Sequence, residues 1–559
     1  MRIRARLFHT RTMPALSLLQ PNFYNPGGNR RPRPQEIKSP LAPGLAAATL
    51  PPRWRRPAAP ILFFVFLFAG LFLRLYALGR HSLWIDEMAS YGISSLPWHN
   101  FLQLIFRHEA NMVFYYLWLR AWLHLGVNAF LLRLPSAIFS FLTIPVLYAI
   151  TARAWGLRAA LWTSGLLAAN PFAIEYAQNA RGYALATLLL CLSFLFLLRS
   201  LDEASRANWF LFDLFAVLAV YSHFLSGLAL LGFFAALFTL RLTRAQWICV
   251  AWHALVIAFA VLPLAILAIL QDHGQLAWIP PFRLHQLGQS LGSISGAIDR
   301  SRWEFWPIML SIYGVILLAA LRSRHSPNRL KAAATAGDPR CRLLKFLLAW
   351  FLAAPVLLTL ASLWQPFMID RFLFSSAPPL MIAAGIAIST LPSRFKAIAG
   401  SCYFIPALLI VFAYYQSPFQ NWRGAIYFLQ SRIQPGDIVL SEPVTTETLA
   451  IHYYGRHLPM VYPAYGDPAH VLSRRYGALG GDGMGWEDLL HAVGIARCCA
   501  RRLWLVTHAN NHHRGLPKTF LRTLARAGLR LHAFKLLHIY YFTGVKLICY
   551  QRALTPAPS

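Results

Sequence analysis

The sequence predicts a polytopic α-helical membrane protein with a small α/β domain at its C-terminus. The chain of 559 residues is 57% hydrophobic and only 13% charged, about half the charged share of a soluble domain. Its mean hydropathy is +0.47. The apolar residues are also gathered into runs of about 20, the length that crosses a bilayer as a helix. Composition and run length therefore both indicate lipid as the solvent.

About eleven runs qualify as membrane spans, and twelve or thirteen remain open because the boundaries are soft. They are 60–79, 130–151, 157–173, 182–199, 208–222, 224–240, 247–270, 305–322, 343–363, 372–391 and 397–415. The apolar stretch 112–126 is short and contains Arg120 and His124. We therefore expect it to form an amphipathic helix lying in or dipping into the membrane interface.

The distribution of Lys and Arg predicts the orientation of the chain, whose formal net charge is +32. If residues 1–57 form a disordered, basic cytoplasmic tail, every short basic loop between the spans also falls on the cytoplasmic side. Charge spread over short loops in this way argues against a nucleic-acid partner. We expect an integral, multi-pass protein of a bacterial inner (plasma) membrane, with its N-terminus in the cytoplasm.

Beyond residue 415 the pattern changes to short strands and helices. We predict strands at 435–443 and 501–507, helices at 445–454, 485–498 and 516–528, and paired strands at about 529–550. Alternating helices and strands favour a small α/β fold. The expected domains are therefore a tail (1–57), a transmembrane catalytic domain (58–415) and an α/β domain (416–559) on the extracytoplasmic side.

The carboxylates gather in loops that the same alternation places outside the cytoplasm. Asp86 and Glu87 follow the first span within SLWIDEMASYG, in a chain with only 20 acidic residues. Adjacent carboxylates can act as a general base or bind a divalent cation, although loop acids are often merely solvated. Glu109, in RHEANMVFYY, suits a cation site only if oxygens such as those of Asp86 join it. Otherwise Glu109 forms an ion pair at the end of the interfacial helix.

Several other polar residues are placed near the same side of the membrane. Arg181, close to Gln178 in EYAQNARGYAL, and Arg371, in MIDRFLFSSAPP, lie at span ends. A guanidinium group there can bind phosphate bidentately or simply reach the interface. His223, in YSHFLSG, is either a structural histidine or a ligand. Arg74 lies inside the first span, where we expect it to face the protein interior.

These motifs, in this order, resemble the lipid-linked-sugar glycosyltransferases of the GT-C superfamily. The resemblance is to bacterial relatives of the protein O-mannosyltransferases (glycosyltransferase family 39) and to the aminoarabinose transferases that modify lipid A. It runs from about Arg74 into the C-terminal part. The stretches that carry it are RLYALGRHSLWIDEMASYG, EANMVFYYLWLRAW, RLPSAIFSFLTIPVLYAI, EYAQNARGYAL, YSHF, WIPP, the Arg371 segment and NWRGAIYFLQSRIQPGDIVL.

The resemblance implies a GT-C-like fold and an inverting transfer of a sugar from a polyprenyl-phosphate donor. The acceptor is left open as a glycolipid, a polysaccharide or a protein. The implied catalytic residues are Asp86, as the base, and its neighbour Glu87. The implied substrate-binding residues are Arg74, Glu109, Gln178, Arg181, His223 and Arg371. A divalent cation, Mg²⁺ or Mn²⁺, would be held by Asp86 and Glu109, although Glu109 lacks the His-Pro-Pro-like turn that often follows the family's second acid.

Two other classes of function remain as alternatives. A transporter or flippase of lipid-linked sugars predicts charged residues at mid-bilayer depth on broken helices, whereas this chain gathers them at one membrane face. A non-catalytic membrane scaffold leaves Asp86, Arg181 and Arg371 unexplained. We therefore expect an enzyme.

Overall fold

The structure, a computed structural model, describes most of the chain between residues 58 and 552. The residues not described within that range are 204, 241, 272–278, 298–302, 325–338, 417–418, 442–446, 456–457, 459–460, 463–492, 495, 497–499, 509–524, 527, 530 and 532–533. The described residues belong to one compact unit, Leu50–Ser559. The predicted tail 1–57 and most of the predicted helices 485–498 and 516–528 lie outside the described residues.

Helices make up most of the described chain. In chain order they are α1 (Ala58–Leu75), α2 (Ile85–Ser95), α3 (Trp98–Arg107), α4 (Val113–Trp122), α5 (Ala129–Trp155), α6 (Leu157–Ala169), α7 (Pro171–Ala177), α8 (Tyr183–Asp202), α9 (Arg206–Ser222), α10 (Ser226–Leu237), α11 (Arg244–Leu270), α12 (Leu284–Ser295), α13 (Phe305–Met309), α14 (Val315–Arg324), α15 (Pro339–Ala361), α16 (Ala377–Thr390), α17 (Ser393–Gln416), α18 (Trp422–Arg432) and α19 (Glu447–Tyr454). Short 3₁₀ turns cover Leu123–Leu125 and Asp370–Ser376, and a π-helical turn, Leu310–Gly314, joins α13 to α14.

Seven helical segments of the described chain are long and apolar enough to cross a membrane. They are Ala129–Trp155, Tyr183–Asp202, Arg244–Leu270, Phe305–Arg322, Leu343–Ala361, Asp370–Thr390 and Ser393–Gln416. Each coincides with a predicted span, which confirms an integral, multi-pass membrane protein. The other four predicted spans are also helical, as α1, α6, α9 and α10. The apolar parts of α1 (Pro60–Leu75) and α10 (Ser226–Leu237) are shorter than the seven, so the number eleven stays a prediction.

The ion pair between Arg153 and Asp202 indicates how the long helices are aligned. They lie near the C-terminal ends of α5 and α8, where their side chains pair at 2.7 Å. The two helices therefore run in the same direction, and their N-terminal ends meet at the opposite end of the bundle. The predicted site residues lie at that opposite end, which agrees with the predicted separation of basic loops from chemically active loops.

The loop after α1 contains two helices that the sequence pattern did not predict, α2 and α3. The stretch 112–126 forms α4 and a 3₁₀ turn, and Tyr115, Tyr116 and Leu119 are its buried residues. Arg120 on α4 donates to the backbone oxygens of Ser94 and Leu96. These hydrogen bonds attach α4 to the end of α2. The buried face of α4 therefore packs against other helices of the protein.

Glycine allows two helix ends to meet closely beside the predicted site. A Cβ atom at Gly182 would lie 2.3 Å from the backbone oxygen of Ser222. We expect Gly182→Ala to push α8 away from α9 and to cost about 1–3 kcal/mol of stability, as overpacking does. Thermal unfolding in detergent tests this expectation. Gly227→Ala is the matched control, because nothing lies within 4 Å of its added Cβ, and equal losses in both variants would contradict the prediction.

The C-terminal part contains a mixed five-stranded sheet. Its strands are β1 (Ile438–Ser441), β2 (Val461–Tyr462), β3 (Arg502–His508), β4 (Phe534–Phe542) and β5 (Val545–Arg552), in the order β2-β1-β3-β5-β4. Strands β1, β2 and β3 are parallel, and β5 pairs antiparallel with both β3 and β4. The described elements confirm the predicted strands near 435–443, 501–507 and 529–550 and the helix at 445–454. Helix α18 was not predicted.

Candidate active site

The acidic pair lies in the first turn of α2. Ile85 is the first helical residue, so Asp86 and Glu87 are the second and third. Carboxylates are favoured there because the free backbone N–H groups give a helix N-terminus a partial positive charge. Glu87 Oε2 accepts a hydrogen bond from the backbone N–H of Trp84 at 3.2 Å. The local sequence therefore fixes where the helix begins.

Glu87 forms a buried ion pair with Arg133 of α5. The guanidinium group binds both carboxylate oxygens, with Nε to Oε1 at 2.7 Å and Nη2 to Oε2 at 2.6 Å. Their side chains are 0% and 6% exposed. Glu87 Oε1 also accepts from the backbone N–H of Ala180 at 2.9 Å. Glu87 thus joins α2 to α5 and to the segment carrying Arg181, and this geometry favours a positioning role over direct catalysis.

The loop before Asp86 is held from both sides. Arg133 donates to the backbone oxygens of Leu78, His81 and Ser82. From the C-terminal part, the hydroxyl of Tyr454 accepts from the backbone N–H of Leu83 at 2.8 Å.

Gln420 Oε1 accepts from the backbone N–H of Ile85 at 3.2 Å, and the backbone N–H of Arg423 donates to Ser82 Oγ at 3.1 Å. The region between α17 and α19 therefore contacts the acidic loop directly.

Asp86, Arg371 and Arg181 form the centre of the candidate site. Arg371 Nη2 lies 3.6 Å from Asp86 Oδ2, and the two side chains are 20% and 22% exposed. Arg181 Nη1 contacts Ser90 Oγ on the same helix as Asp86, at 3.3 Å, and the hydroxyl of Tyr116 at 3.5 Å. Asp86 acts electrostatically on both arginines. One carboxylate and two guanidinium groups therefore share a partly buried place at one end of the bundle.

His223 borders this centre from the turn between α9 and α10. Its ring centroid lies 4.8 Å from that of Tyr183 and 4.9 Å from that of Phe374, with the rings tilted against each other. Burial, followed by the charges of Arg181 and Arg371, lowers the pKa of His223 well below its usual value. The imidazole is therefore neutral at physiological pH. Its Nε2 atom is buried and has no hydrogen-bond partner among the described residues.

Asp86 and Glu109, the predicted metal pair, both lie near arginine side chains. Glu109 is 8% exposed and acts electrostatically on Arg181. Asp86 already faces Arg371 at 3.6 Å, so a cation would compete with a guanidinium group. Within the described residues no group of three or more His, Cys, Asp or Glu side chains is suited to hold a metal ion. Mg²⁺ is commonly held by one or two carboxylates together with substrate phosphate and water, so a cation at Asp86 and Glu109 stays a prediction.

Arg74 and Gln178 lie deeper and are satisfied by protein atoms. Arg74, fully buried, donates to Ser140 Oγ and to the backbone oxygens of Gly70, Leu167 and Ala168. Gln178 Nε2 donates to the backbone oxygens of three residues at the end of α1, namely Leu73, Arg74 and Tyr76. Both side chains therefore fasten α1 to the bundle, and their positions give no support to the substrate contact expected from the sequence.

A second acidic pair lies on the other side of Arg371. Asp370 accepts hydrogen bonds from Ser290 Oγ at 2.7 Å and Ser293 Oγ at 2.5 Å, both on α12. Glu175, on α7, is near enough to Asp370 and Arg371 to be affected by their charges. Burial and, to a smaller extent, the charge of Asp370 raise the pKa of Glu175 to about 7, against the opposing effect of Arg371. Glu175 therefore changes its charge near neutral pH.

This raised pKa predicts a pH dependence of stability. The folded protein holds the Glu175 proton up to about pH 7, whereas an unfolded chain releases it near pH 4.3. The stabilising contribution of this group is therefore complete below about pH 4 and lost as the pH rises towards 7. We expect the melting temperature of Glu175→Gln to depend less on pH between pH 5 and 8 than that of the parent protein. A profile that stays parallel to that of the parent would contradict the assignment.

Sequence reasoning missed several residues that the structure places beside the site. Arg133 could have been found from the sequence. Like Arg74, it lies inside a long apolar run, where a charged side chain is costly in lipid and is expected to face the protein interior. Ser90, Tyr116 and Tyr183 carry no comparable signal, since hydroxyl groups are common in membrane helices. Their role depends on which helix ends meet.

The chain resembles known proteins both in sequence and in fold. A family model described as dolichyl-phosphate-mannose-protein mannosyltransferase matches residues 108–269, and a comparison with curated protein sequences gives no match. The apo structure of ArnT from Cupriavidus metallidurans is similar with a TM-score of 0.58 and 14% identity, over 88% of this chain and 98% of that one. ArnT bound to undecaprenyl phosphate gives a TM-score of 0.52 and 14% identity, over 87% and 97%.

An archaeal oligosaccharyltransferase shows the same architecture at greater distance. The Archaeoglobus fulgidus protein, tethered to an acceptor peptide with an NVT sequon, has a TM-score of 0.50 and 12% identity, over 90% of this chain and 74% of that one. The membrane protein therefore has an ArnT-like fold, and the family match over residues 108–269 agrees with it. They confirm the predicted resemblance to protein mannosyltransferases and ArnT.

Proposed function

We propose that this protein transfers a sugar from a polyprenyl-phosphate donor to an acceptor, with inversion, at the non-cytoplasmic membrane face. The observation that carries the proposal is the placement of Asp86 within 3.6 Å of Arg371, with Arg181 bound to the same helix through Ser90. The reaction requires a base for the acceptor proton and positive charge for the leaving lipid phosphate. A carboxylate and two guanidinium groups, which can bind phosphate bidentately, supply both.

The two arginines bind the donor phosphate. Arg371 pairs with Asp86 when no donor is bound. The donor phosphate replaces Asp86 as the partner of Arg371, because a bidentate guanidinium–phosphate pair is stronger than a contact at 3.6 Å. Asp86 is then free to accept a proton. The neutral imidazole of His223 adds no charge near the phosphate. Its Nδ1 atom accepts from the backbone N–H of Leu225 at 3.3 Å, so the buried Nε2 atom carries the ring proton and can donate a hydrogen bond to the substrate.

The transfer is a single displacement. The acceptor O–H gives its proton to the Asp86 carboxylate as the acceptor oxygen attacks the anomeric carbon. The bond between that carbon and the phosphate oxygen breaks, and the phosphate takes the electron pair. Arg181 and Arg371 stabilise the negative charge that the phosphate gains. This charge develops in the transition state and is complete in the product.

The printed descriptions of the similar structures support this proposal. ArnT has been solved with undecaprenyl phosphate, and the archaeal oligosaccharyltransferase with an acceptor peptide, so the architecture admits both kinds of ligand. The positive-inside rule supports a site outside the cytoplasm, in a bacterial inner membrane. We propose that residues 416–559 form an extracytoplasmic domain, supported by the contacts of Tyr454 and Gln420 with the acidic loop.

Reconstitution in liposomes with a radiolabelled polyprenyl-phosphate sugar tests the proposal. We expect release of free polyprenyl phosphate when envelope acceptors are present, and loss of release in Arg371→Met and Arg181→Met. Movement of intact lipid-linked sugar across the bilayer without release would instead indicate a flippase. Mass spectrometry of envelope glycolipids and glycans, with and without the protein, then identifies the acceptor.

A further inference from the structure

The first backbone N–H group of α2 has its acceptor in the C-terminal part of the chain. Ile85 is the first residue of this helix, and the first N–H groups of an α-helix have no acceptor within the helix itself. Gln420 Oε1 accepts from the N–H of Ile85 at 3.2 Å, from 335 residues further along the chain. Asp86, the proposed base, is the next residue of the same turn. Gln420 therefore caps the helical turn that carries the base.

The side chain of Gln420 is itself held in place by the C-terminal part. Its Oε1 atom also accepts from Trp422 Nε1 at 2.9 Å, and both side chains are buried. A Cβ atom at Gly544 would lie only 2.8 Å from Gln420 Cγ, so the turn between β4 and β5 packs closely against this side chain. The backbone N–H of Asn421 donates to the backbone oxygen of Thr543, in the same turn, at 2.8 Å. The five-stranded sheet thus sets where the amide group meets α2.

The two residues before Ile85 are held from the same side. The hydroxyl of Tyr454 accepts from the backbone N–H of Leu83 at 2.8 Å. Leu83 is fully buried, so water cannot replace this acceptor. The ring of Phe419 lies edge-on to that of Trp84, with centroids 5.1 Å apart. Three consecutive residues before Asp86 therefore contact the C-terminal part.

The two arginines of the candidate site are carried by other elements. Arg181 lies just before α8, and Arg371 lies in the 3₁₀ turn Asp370–Ser376. If the first turn of α2 loosened, Asp86 would move while both guanidinium groups stayed on their own elements. The contacts of the C-terminal part are therefore directed at the base and not at the groups that bind the donor phosphate.

Resting on the proposed function, we infer that Gln420 and Tyr454 are positioning residues, through which the C-terminal sheet holds Asp86 in reach of the acceptor hydroxyl. A general base acts only within hydrogen-bond distance of the proton that it removes. A displacement of about 1 Å can lower the rate of a reaction about 10²-fold. The C-terminal part thus acts on the transfer step and leaves donor binding unchanged.

Gln420→Leu and Tyr454→Phe test the inference, because each removes one acceptor from the loop before Asp86. We expect each variant to lower kcat for polyprenyl phosphate release in liposomes by about 10–10²-fold. We expect the Kd for bare undecaprenyl phosphate, measured on detergent-solubilised protein, to stay within about twofold of the parent value. Gln551→Leu and Tyr427→Phe are the matched controls, because they make the same changes at exposed positions of β5 and α18. Both controls should keep the parent kcat.

A double variant separates positioning of Asp86 from general damage to the fold. If Gln420 acts through Asp86, Gln420→Leu should have no further effect on the residual transfer of Asp86→Asn. The inference fails if both single variants keep the parent kcat, or if kcat and affinity for undecaprenyl phosphate fall together. It also fails if Gln420→Leu is as damaging in the Asp86→Asn protein as in the parent.

Tyr454→Phe keeps the aromatic ring, so it answers the question even if Gln420→Leu does not fold. Failure of the proposed function gives a different result. In that case the parent protein releases no polyprenyl phosphate, or Asp86→Asn releases it as fast as the parent. Either result removes the base, and the inference with it.

Discussion

Asp86→Asn is expected to reduce sugar transfer by about 10²–10⁴-fold, the range for loss of a general base. The amide has almost the same shape as the carboxylate but cannot accept the acceptor proton. Donor binding is expected to persist or strengthen, because the substitution frees Arg371 from its contact with Asp86 at 3.6 Å. The measurement is kcat for polyprenyl phosphate release, together with equilibrium binding of bare polyprenyl phosphate.

The matched control for this prediction is Asp202→Asn. Asp202 pairs with Arg153 at the far end of the bundle, where both side chains are more exposed than the Asp86 pair. We expect transfer to be unchanged in that variant. Undiminished transfer by Asp86→Asn would show that another group takes the proton, and Glu175, with its pKa raised to about 7, would then be the next base to examine.

The second large effect is expected from Arg133→Met. This change leaves the Glu87 carboxylate buried and without its bidentate partner, which typically costs 3–5 kcal/mol. The loop before Asp86 also loses three hydrogen bonds to its backbone oxygens. We expect a large fall in melting temperature and, in the protein that remains folded, a loss of kcat greater than the change in donor affinity.

Two comparisons isolate the buried pair. Arg153→Met breaks the partly exposed pair with Asp202 and should cost no more than about 1 kcal/mol. The double variant Glu87→Gln with Arg133→Met should be more stable than Arg133→Met alone, because no unpaired charge is then buried. If Arg133→Met costs as little as Arg153→Met, Glu87 does not depend on Arg133 for its position.

The sequence by itself determined the solvent of this protein and the approximate limits of its helices. Lipid selects long apolar runs, and this constraint is local, so the seven membrane-spanning helices could be predicted from composition along the chain. Individual charged residues were also conspicuous because charge is scarce in such a chain. Asp86 was selected because acidic residues are scarce, and Arg181 and Arg371 because they lie at span ends. The structure brings the three together.

Only the tertiary structure decided what each charged residue contacts. Asp86 and Glu87 are adjacent, but one helical step turns Asp86 towards Arg371 and Glu87 towards Arg133. Arg74 and Arg371 are both arginines at helix ends, yet only Arg371 lines a cavity. The partners are 46 and 285 residues away along the chain for Glu87 and Asp86. Such pairs depend on which helix ends the packing of the bundle places side by side, and no local pattern in the sequence records that choice.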